Sequence, residues 1–576
     1  MLFSSLFAKT AEYEKLAHAL SSPGACALFG LPGSGRAMVY AALARSTGRF
    51  LCIVTPGEAE ATRFAGDLNA LGVAAAVFPA RDYVLRPIEG TAREYEYRRL
   101  SVLGDIVGGR LQAVCVPDEG LTQYTTPRSE FCRNTRTLHP GDTVPRAELT
   151  ALLYNAGYAR RAQVDGPGQF SIRGDIVDLY APDMKLPVRM EFWGDEIDTM
   201  HTFDLATQRR EDPIEKIYVS PAREVLFGSP AEAAELLRAF IKKARGKKRT
   251  ALEACLAPEL AQLDGGALPV NMDKYLAVRY PTPATLLDYF DDPLLVLEEP
   301  ASLREAERAT AYRRGEELSA LLQDGVLAAG LDKLYAESGY LWAQTTTHRT
   351  ICAENFARSM PDIPLKDIVN APAHTLPAWG GEVASLLEDL QPLCNGGAAV
   401  TVLAGTPRAA AGLAADLRTK GMLVTTDPDA APRAGLVQIL PGQLSAGCSV
   451  PFAKYALFTA RAFGISGAQK KKKRNKDALN SLSEISVGDL VVHQNHGIGR
   501  YAGIQRMAVQ GVTKDYLRIE YDKKDVLYVP VTQLDLLSRY TAPNDSDNVR
   551  LSRLGGNDWA KTRKKVKAAT EQMAKE

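Results

Sequence analysis

The sequence lacks the features that mark membrane, metal-binding and disulfide-stabilised proteins. None of its apolar runs reaches the roughly 20 residues of a membrane-spanning helix. The N-terminus has neither a basic start nor the long apolar stretch of a secretion signal. The eight cysteines are scattered without a CxxC pair, which predicts reduced, buried thiols rather than disulfides or a zinc site. We therefore expect a cytoplasmic protein that holds no metal and contacts no membrane.

An excess of one charge sign is also missing. Lys and Arg number 69 against 68 Asp and Glu, so the formal net charge is only +1. This balance gives no whole-chain reason to bind nucleic acid, and any electrostatic partner would have to meet a local patch. At roughly 150 residues per domain, the 576 residues suggest about four domains.

Two runs that alternate apolar and polar residues stand out at 169–180 and 187–198. Alternation of period two is typical of half-buried strands, so we predict a small antiparallel sheet. Its core would contain Ile172, Ile176, Leu179 and Phe192. Its charged, aromatic face would carry Arg173, Arg189, Glu191 and Trp193. Arg and Trp are typical of protein–protein hot spots, although a merely solvated strand face fits the same pattern.

Residues 30–37 contain the glycine spacing of a phosphate-binding P-loop, between a predicted strand and a predicted helix. Two chemical parts are absent from this motif. Arg36 replaces the lysine that reaches the phosphates, and Ala37 has no hydroxyl for Mg²⁺. Gly30, Gly33 and Gly35 therefore predict a structural turn without ATP chemistry; weak phosphate binding by backbone N–H groups is the alternative.

A second nucleotide-site element is altered as well. The apolar run 294–297 leads into Glu298 and Glu299, where an active motor would place an Asp for Mg²⁺ and then a catalytic Glu. An acidic pair is common at solvated strand ends and is weak evidence alone. Together with the altered loop it predicts a nucleotide-binding fold that lost its chemistry, so we expect no catalytic residue.

The basic run at 467–476 lies between Gly and Ser residues. This composition favours a flexible, solvated linker, and contact with nucleic-acid phosphates is the alternative. Beyond it, short alternating strands separated by turn residues predict a small, strongly bent β-barrel.

Several of these motifs resemble one family, the transcription-repair coupling factors (Mfd). The run 169–180, residues 194–198, and Phe203-Asp204 with residues 207–209 resemble the second domain that this family shares with the excision-repair protein UvrB. Residues 487–503, 515–521 and 525–530 are similar to the RNA polymerase interaction domain of the family and to CarD proteins. The resemblance covers nearly the whole chain in the family's domain order and implies an N-terminal portion that ends before the motor.

The resemblance implies two protein partners and a set of contacts for each. In the relatives the second domain binds the UvrA damage sensor, which implies contacts at Arg173, Arg189 and Trp193, with Arg160 and Glu191 as further candidates. The barrel domain of the relatives docks on the RNA polymerase β subunit, plausibly by addition to a sheet edge. This implies a contact strand at 501–509 with Tyr501, Ile504 and Met507, although Ile504 and Met507 also fit as barrel core.

The resulting fold class is multidomain α/β: a degenerate P-loop NTPase-like fold with an inserted small β-rich domain, plus a small CarD/Tudor-like β-barrel. The predicted domains are 1–126 (degenerate P-loop domain), 127–218 (UvrA-binding domain), 219–345 (completion of the α/β unit), 346–465 (small α/β domain), 466–484 (basic linker), 485–545 (polymerase-interaction barrel) and 546–576 (start of a helix toward the motor).

The expected function is a monomeric adaptor in transcription-coupled repair that binds stalled polymerase and recruits UvrA. ATP, Mg²⁺ and double-stranded DNA would be bound by the motor domains of the full-length family protein, an ATP-dependent DNA translocase, and no cofactor is expected in this chain. Two alternatives remain. A UvrB-like repair ATPase would turn over nucleotide, and a CarD-like transcription regulator would need only the barrel.

Overall fold

The structure is a computed structural model that describes residues 6–86, 93–205, 207–431, 433–460, 488–493, 497–509, 512–522, 525–530, 537–539 and 551–552. These residues belong to two compact units, Met1–Ala462 and Phe463–Glu576. The predicted linker at 466–484 lies outside the described residues, as does 546–576 apart from residues 551 and 552. In the described ranges no helix is long and apolar enough to cross a membrane, and no His, Cys, Asp and Glu side chains group as metal ligands.

The first unit begins with alternating helices and strands and then enters a strand-rich insertion. The alternating part contains α1 (Ala11–Ala19), β1 (Gly24–Phe29), α2 (Gly33–Thr47), β2 (Leu51–Thr55), α3 (Glu58–Ala70), β3 (Ala75–Val77), α4 (Glu94–Val107) and β4 (Ala113–Pro117). The insertion contains α5 (Asp118–Leu121), α6 (Arg128–Arg133), β5 (Arg136–Leu138), α7 (Arg146–Asn155), β6 (Ala159–Arg160), β7 (Gln169–Arg173), β8 (Ile176–Tyr180), β9 (Val188–Trp193), β10 (Glu196–Phe203), β11 (Arg210–Pro213) and β12 (Ile217–Val219).

After the insertion, helices and strands alternate again to the end of the unit. They are α8 (Pro230–Lys243), α9 (Gly246–Asp264), α10 (Leu276–Arg279), β13 (Leu294–Glu298), α11 (Pro300–Gln323), α12 (Tyr340–Thr347), β14 (Arg349–Glu354), β15 (Leu365–Asn370), β16 (His374–Leu376), α13 (Val383–Asn395), β17 (Ala399–Leu403), α14 (Pro407–Thr419), β18 (Leu423–Thr425), β19 (Leu436–Leu440), β20 (Gly447–Val450) and β21 (Tyr455–Thr459).

The main sheet of this unit has seven parallel strands in the order β15-β1-β14-β13-β2-β4-β3. Every residue of β1, β2, β4 and β13 is buried. Such continuous burial is typical of parallel strands covered by helices on both faces. The prediction of a parallel α/β sheet is thus confirmed. The predicted domain boundary at residue 345 divides the chain within this sheet. The strands β14 and β15 come after that boundary, and both pair with β1.

The insertion folds into a six-stranded sheet in the order β11-β10-β9-β8-β7-β6, and only β6 and β7 run parallel. Its core face contains Val177, Leu179, Met190 and Phe192. The prediction that Ile176 joins this core is wrong. Ile176 pairs with Glu191 on the outer face, because successive side chains of a strand point to opposite faces and Val177 takes the inward position.

A third sheet covers one face of α2. Its six strands are ordered β16-β20-β21-β17-β19-β18, with antiparallel β16-β20 and β20-β21 pairs and parallel pairs elsewhere. Cys448 and Leu457 of this sheet belong to the same buried cluster as Met38 and Tyr40 of α2. The helix that follows the altered loop is therefore enclosed between two sheets, and all residues from Ser34 to Ala44 are buried.

The second unit contains one antiparallel sheet in its described part. The strands are β22 (Leu490–His493), β23 (Gly497–Val509), β24 (Val512–Glu520), β25 (Val526–Pro530) and β26 (Leu537–Arg539), in the order β25-β24-β23-β22-β26. Buried Val491, Leu517 and Ile519 line its core. The pairing of β23 with β24 shifts register between Tyr501 and Ile504. The predicted short strands are confirmed, whereas their closure into a barrel stays a prediction.

Candidate functional sites

A buried carboxylate organises the outer face of the inserted sheet. Asp178 of β8 is fully buried and accepts hydrogen bonds from both predicted arginines. Arg173 of β7 donates from Nη2 at 2.5 Å, and Arg189 of β9 donates from Nε at 2.7 Å and from Nη2 at 3.0 Å. The carboxylate therefore holds two guanidinium groups side by side, and the trio keeps a net charge of +1.

The two arginines differ in how far they are available to a partner. The Arg189 side chain is only 12% exposed, packs 4.6 Å from the Phe203 ring centroid and also donates to Gln208. Its hydrogen bonds to Asp178 raise the pKa of Arg189. The Arg173 side chain is 45% exposed and bonds Asp178 through Nη2. Arg189 is thus largely buried within the sheet face, whereas the exposed Arg173 side chain can contact a partner.

Trp193 is the most exposed large side chain of this face. It lies at the end of β9, beside the turn in which Gly194 adopts φ +63°, and 85% of its surface is exposed. Arg189, Glu191 and Trp193 alternate along β9 and share one face. An exposed indole on the same sheet face as fixed guanidinium groups is typical of protein-binding surfaces.

The two weaker candidates occupy different positions. Glu191 forms an ion pair with Arg210 and accepts a 3.4 Å bond from Thr199 Oγ1, so its carboxylate is engaged within the sheet. Arg160 is exposed on β6, the edge strand farthest from β9 on its side of the sheet.

Sequence reasoning missed Asp178 itself. The sequence feature that could have identified it is an acidic residue between two inward-facing apolar residues of a strand. A carboxylate that is buried at such a position requires cationic partners.

Internal ion pairs connect the altered glycine loop between β1 and α2 to the acidic pair that follows the apolar run 294–297. Arg36 Nη1 lies 2.7 Å from Glu298 Oε2, and Arg36 Nη2 lies 2.8 Å from Glu299 Oε1. Tyr40 donates to Glu298 Oε1 at 2.5 Å. Burial would lower the pKa of Arg36, but the facing carboxylates raise it instead, so the guanidinium stays charged. The predicted loop and acidic pair thus meet in space, where Arg36 bridges the two carboxylates.

Protein atoms also fill the space around the loop glycines. A Cβ atom added to Gly33 would overlap the Arg63 guanidinium, and one added to Gly35 would lie 3.0 Å from Cys448 Sγ. Gly30, at φ +89°, has Ala371 and Pro372 backbone atoms 3.1 Å from such a Cβ. Glu299 adopts φ +50°, a conformation that non-glycine residues rarely take. The loop therefore packs against the segments that follow β15 and form β20.

The predicted polymerase strand coincides with β23. Its backbone at Ile504 and Met507 pairs with Leu517 and Lys514 of β24. The side chains of Ile504 and Met507 lie outside the described residues. Tyr501 is buried, at 5% exposure. On the other edge, β22 pairs with β23 only from Gly497 to Arg500, and no described strand pairs with 502–509 on that side.

Comparison with known proteins gives two domain matches. Residues 137–225 match the UvrB interaction domain, and residues 485–541 match the CarD-like/TRCF RID domain. The first range contains Asp178, both arginines and Trp193, and the second contains β22 to β26.

Relatives of known name match nearly the whole chain. It is 28% identical over 568 residues to the transcription-repair-coupling factor of Bacillus subtilis (strain 168), which covers 95% of this chain and 48% of the relative. It is 26% identical over 515 residues to that of Staphylococcus aureus (strain MRSA252), covering 87% of this chain and 43% of the relative. The chain thus spans about half the length of the curated relatives it matches, and the resemblance seen in the sequence is confirmed.

Proposed function

This chain belongs to the transcription-repair-coupling-factor family, and on that premise we propose that it is an adaptor of transcription-coupled repair with two partners. The sheet that bears Arg173 and Trp193 recruits the UvrA damage sensor. The strand β23 holds the β subunit of a stalled RNA polymerase. Translocation on double-stranded DNA, with ATP and Mg²⁺, belongs to the motor domains of the full-length relatives.

The observation that carries the UvrA assignment is the fixed guanidinium pair on the same sheet face as an exposed tryptophan. Asp178 orients both arginines before any partner arrives, so binding orders few additional side chains. Arg173 still presents nitrogen donors to a carboxylate or carbonyl group of the partner, because its bond to Asp178 uses Nη2. Trp193 supplies a large apolar contact that solvent now surrounds.

The test is titration calorimetry of UvrA against the chain and its variants. Arg173→Glu reverses the charge of the accessible arginine, and Trp193→Ala removes the exposed indole without disturbing the core. We expect each variant to weaken binding by at least tenfold, in line with losses of about 2 kcal/mol or more at hot spots. Arg133→Glu on α6, whose side chain is 71% exposed, serves as the matched control. Unchanged affinity in both site variants would refute the assignment.

The polymerase assignment rests on the second family match and on the partly unpaired edge of β23 in the described sheet. A free strand edge presents backbone donors and acceptors to which an extended segment can add. We propose that Ile504 and Met507 contact the β subunit along this edge. Tyr501 supports the strand from within the core instead, because it is buried.

We propose further that the α/β unit around residues 30–37 is a degenerate P-loop NTPase-like fold without catalysis. Arg36 and Ala37 lack the chemistry of the motif, and the ion pairs with Glu298 and Glu299 occupy the guanidinium. Calorimetry with Mg²⁺-ATP should show no saturable binding. Steady hydrolysis that is abolished by Gly35→Val would favour the UvrB-like ATPase instead.

A further inference from the structure

We propose that the turn between α8 and α9 binds the phosphodiester backbone of nucleic acid. Six of the eight residues at 242–249 are Lys or Arg, and none is acidic: Lys242, Lys243, Arg245, Lys247, Lys248 and Arg249. We call this segment the 242–249 patch. Since the whole chain has a net charge of only +1, all other residues together sum to −5. The patch is therefore a local concentration of charge and does not reflect a basic protein.

The structure places all six cations on the surface and leaves most of them without a carboxylate. Each of the six residues is exposed. Arg249 donates from Nε to Glu253 Oε1 at 2.8 Å. No ion pair joins any of the other five to a described acidic residue. Lys and Arg side chains in this state attract polyanions, and release of the counterions condensed on the phosphates contributes to the binding free energy.

The backbone brings two basic helical turns together. The last turn of α8 carries Lys242 and Lys243, and the first turn of α9 carries Lys247, Lys248 and Arg249. Ala244 and Arg245 are extended, and Gly246 adopts φ +56° where the chain re-enters a helix. Only two residues separate α8 from α9, so the charges of both ends meet on one surface.

Helix stability alone does not explain these positions. Cations in the last turn of α8 are favourable, because the C-terminus of a helix carries partial negative charge. The three cations at the start of α9 face the opposite situation, since the N-terminus carries partial positive charge. The first turn of α9 has no acidic residue, and no side chain caps its N-terminus. A local cost of this kind is expected where a sequence is selected for a ligand, and the ligand that relieves it is an anion.

Duplex DNA is the source of phosphate that fits the proposed repair function, and only this choice of source depends on that function. The test measures binding of the chain to a fluorescein-labelled 20-base-pair duplex by anisotropy between 50 and 200 mM NaCl, without UvrA or polymerase. If three to five phosphates are engaged, affinity should fall roughly 40- to 500-fold over this range. Failure of the adaptor proposal would leave this result unaffected.

Two variants with equal loss of charge make the test specific. The first carries K242Q, K243Q, R245Q, K247Q and K248Q. The second carries K470Q, K471Q, K472Q, K473Q and R474Q in the other basic run. We expect the first to lose most of the affinity and of its salt dependence, and the second to retain at least half of the affinity. Equal losses in both, or no salt-dependent binding by the unmodified chain, would overturn the proposal.

A membrane surface is the competing partner for a basic patch. Flotation with vesicles of 30% phosphatidylserine in phosphatidylcholine tests it with the same variants. Binding to vesicles but not to the duplex would overturn the nucleic-acid assignment. All five substituted residues of the first variant are exposed, so its unfolding temperature should match that of the unmodified chain.

Discussion

Arg36 of α2 and Glu298 of β13 form a buried ion pair in which Nη1 and Oε2 lie 2.7 Å apart. In the proposed degenerate P-loop, these two residues stand where an active nucleotide motor would hold a phosphate-binding lysine and a magnesium-binding aspartate. The side chains that would contact nucleotide and metal instead contact each other. The pair is an internal contact between the start of α2 and the end of β13.

The first prediction concerns the stability of this pair. Glu298→Ala leaves the Arg36 guanidinium buried without its closest carboxylate, which typically costs about 3–5 kcal/mol. The double variant Arg36→Met/Glu298→Leu removes both charges and should restore most of that loss. Urea unfolding followed by tryptophan fluorescence measures the difference. Arg238→Ala, which breaks an exposed pair with Asp264, is the control and should change stability by less than about 1 kcal/mol.

A second prediction is that repairing the motif will not restore ATP chemistry. Arg36→Lys/Ala37→Thr supplies the missing amine and hydroxyl, yet Arg63, Cys448 and the segment at residue 371 still pack around the loop. We expect no phosphate release above background and no calorimetric signal with Mg²⁺-ATP. Hydrolysis by this variant would show that the chemical substitutions, rather than the packing, prevent activity.

The third prediction separates Asp178 from the arginines that it holds. Asp178→Ala should cost about 3–5 kcal/mol, because Arg189 is nearly buried and loses its carboxylate. At temperatures where the variant is still folded, its affinity for UvrA should be at least fivefold weaker, because Asp178 no longer orients Arg173. Circular dichroism establishes the folded fraction before each titration. A folded variant with full affinity would show that the preformed geometry is unimportant.

Polymerase binding can be tested on two residues of β23, one on its unpaired edge and one where β22 covers it. Ile504→Asp should weaken capture of RNA polymerase by tenfold or more if position 504 faces the β subunit. Arg500→Ala is the matched control, because Arg500 is exposed and lies where β22 still pairs with β23. Surface plasmon resonance with immobilised polymerase measures both. Equal effects of the two changes would place the contact elsewhere.

The last prediction concerns pH and Asp118. Burial, followed by the charge of Glu307, raises the pKa of Asp118 to about 7 in the folded chain. The pKa of an unfolded Asp is about 3.9, so the folded state binds the proton more tightly and stability from this group falls as pH rises from about 4 to about 7.

Asp118→Asn removes this titration. The variant should be about 1–3 kcal/mol more stable than the unmodified chain at pH 8 and nearly equal at pH 4. Thermal unfolding at both pH values measures the difference. Asp291→Asn, whose side chain is 93% exposed, should show no such pH dependence. A stabilisation by Asp118→Asn that shrinks as the pH rises would contradict a raised pKa for Asp118.

Local patterns predicted much of the architecture. The apolar run at 294–297 is present as β13, and the alternating runs at 169–180 and 187–198 are β7 to β10. These elements have strong periodicity within one stretch of chain. The altered loop and the acidic pair could also be identified locally, since the missing groups are visible as single residues.

Other features depend on contacts between distant residues and gave no local signal. The pairing of β14 and β15 with β1 joins the two ends of the main sheet. The covering of α2 by the third sheet depends on Cys448 and Leu457, which no pattern near α2 predicts. The basic composition of the 242–249 patch can be read from the sequence, but only the structure shows that the patch joins the ends of two helices.

The pairing of β1 with β14 has a consequence for synthesis of the chain. Arg36 and the Ala353 carbonyl that it contacts are 317 positions apart, so the main sheet stays incomplete until both ends have left the ribosome. At about 5–20 residues per second, that interval lasts roughly 15–65 s. The inserted sheet contains only neighbouring strands and can form during this delay. During this interval the early strands would expose the apolar surface that the completed sheet buries.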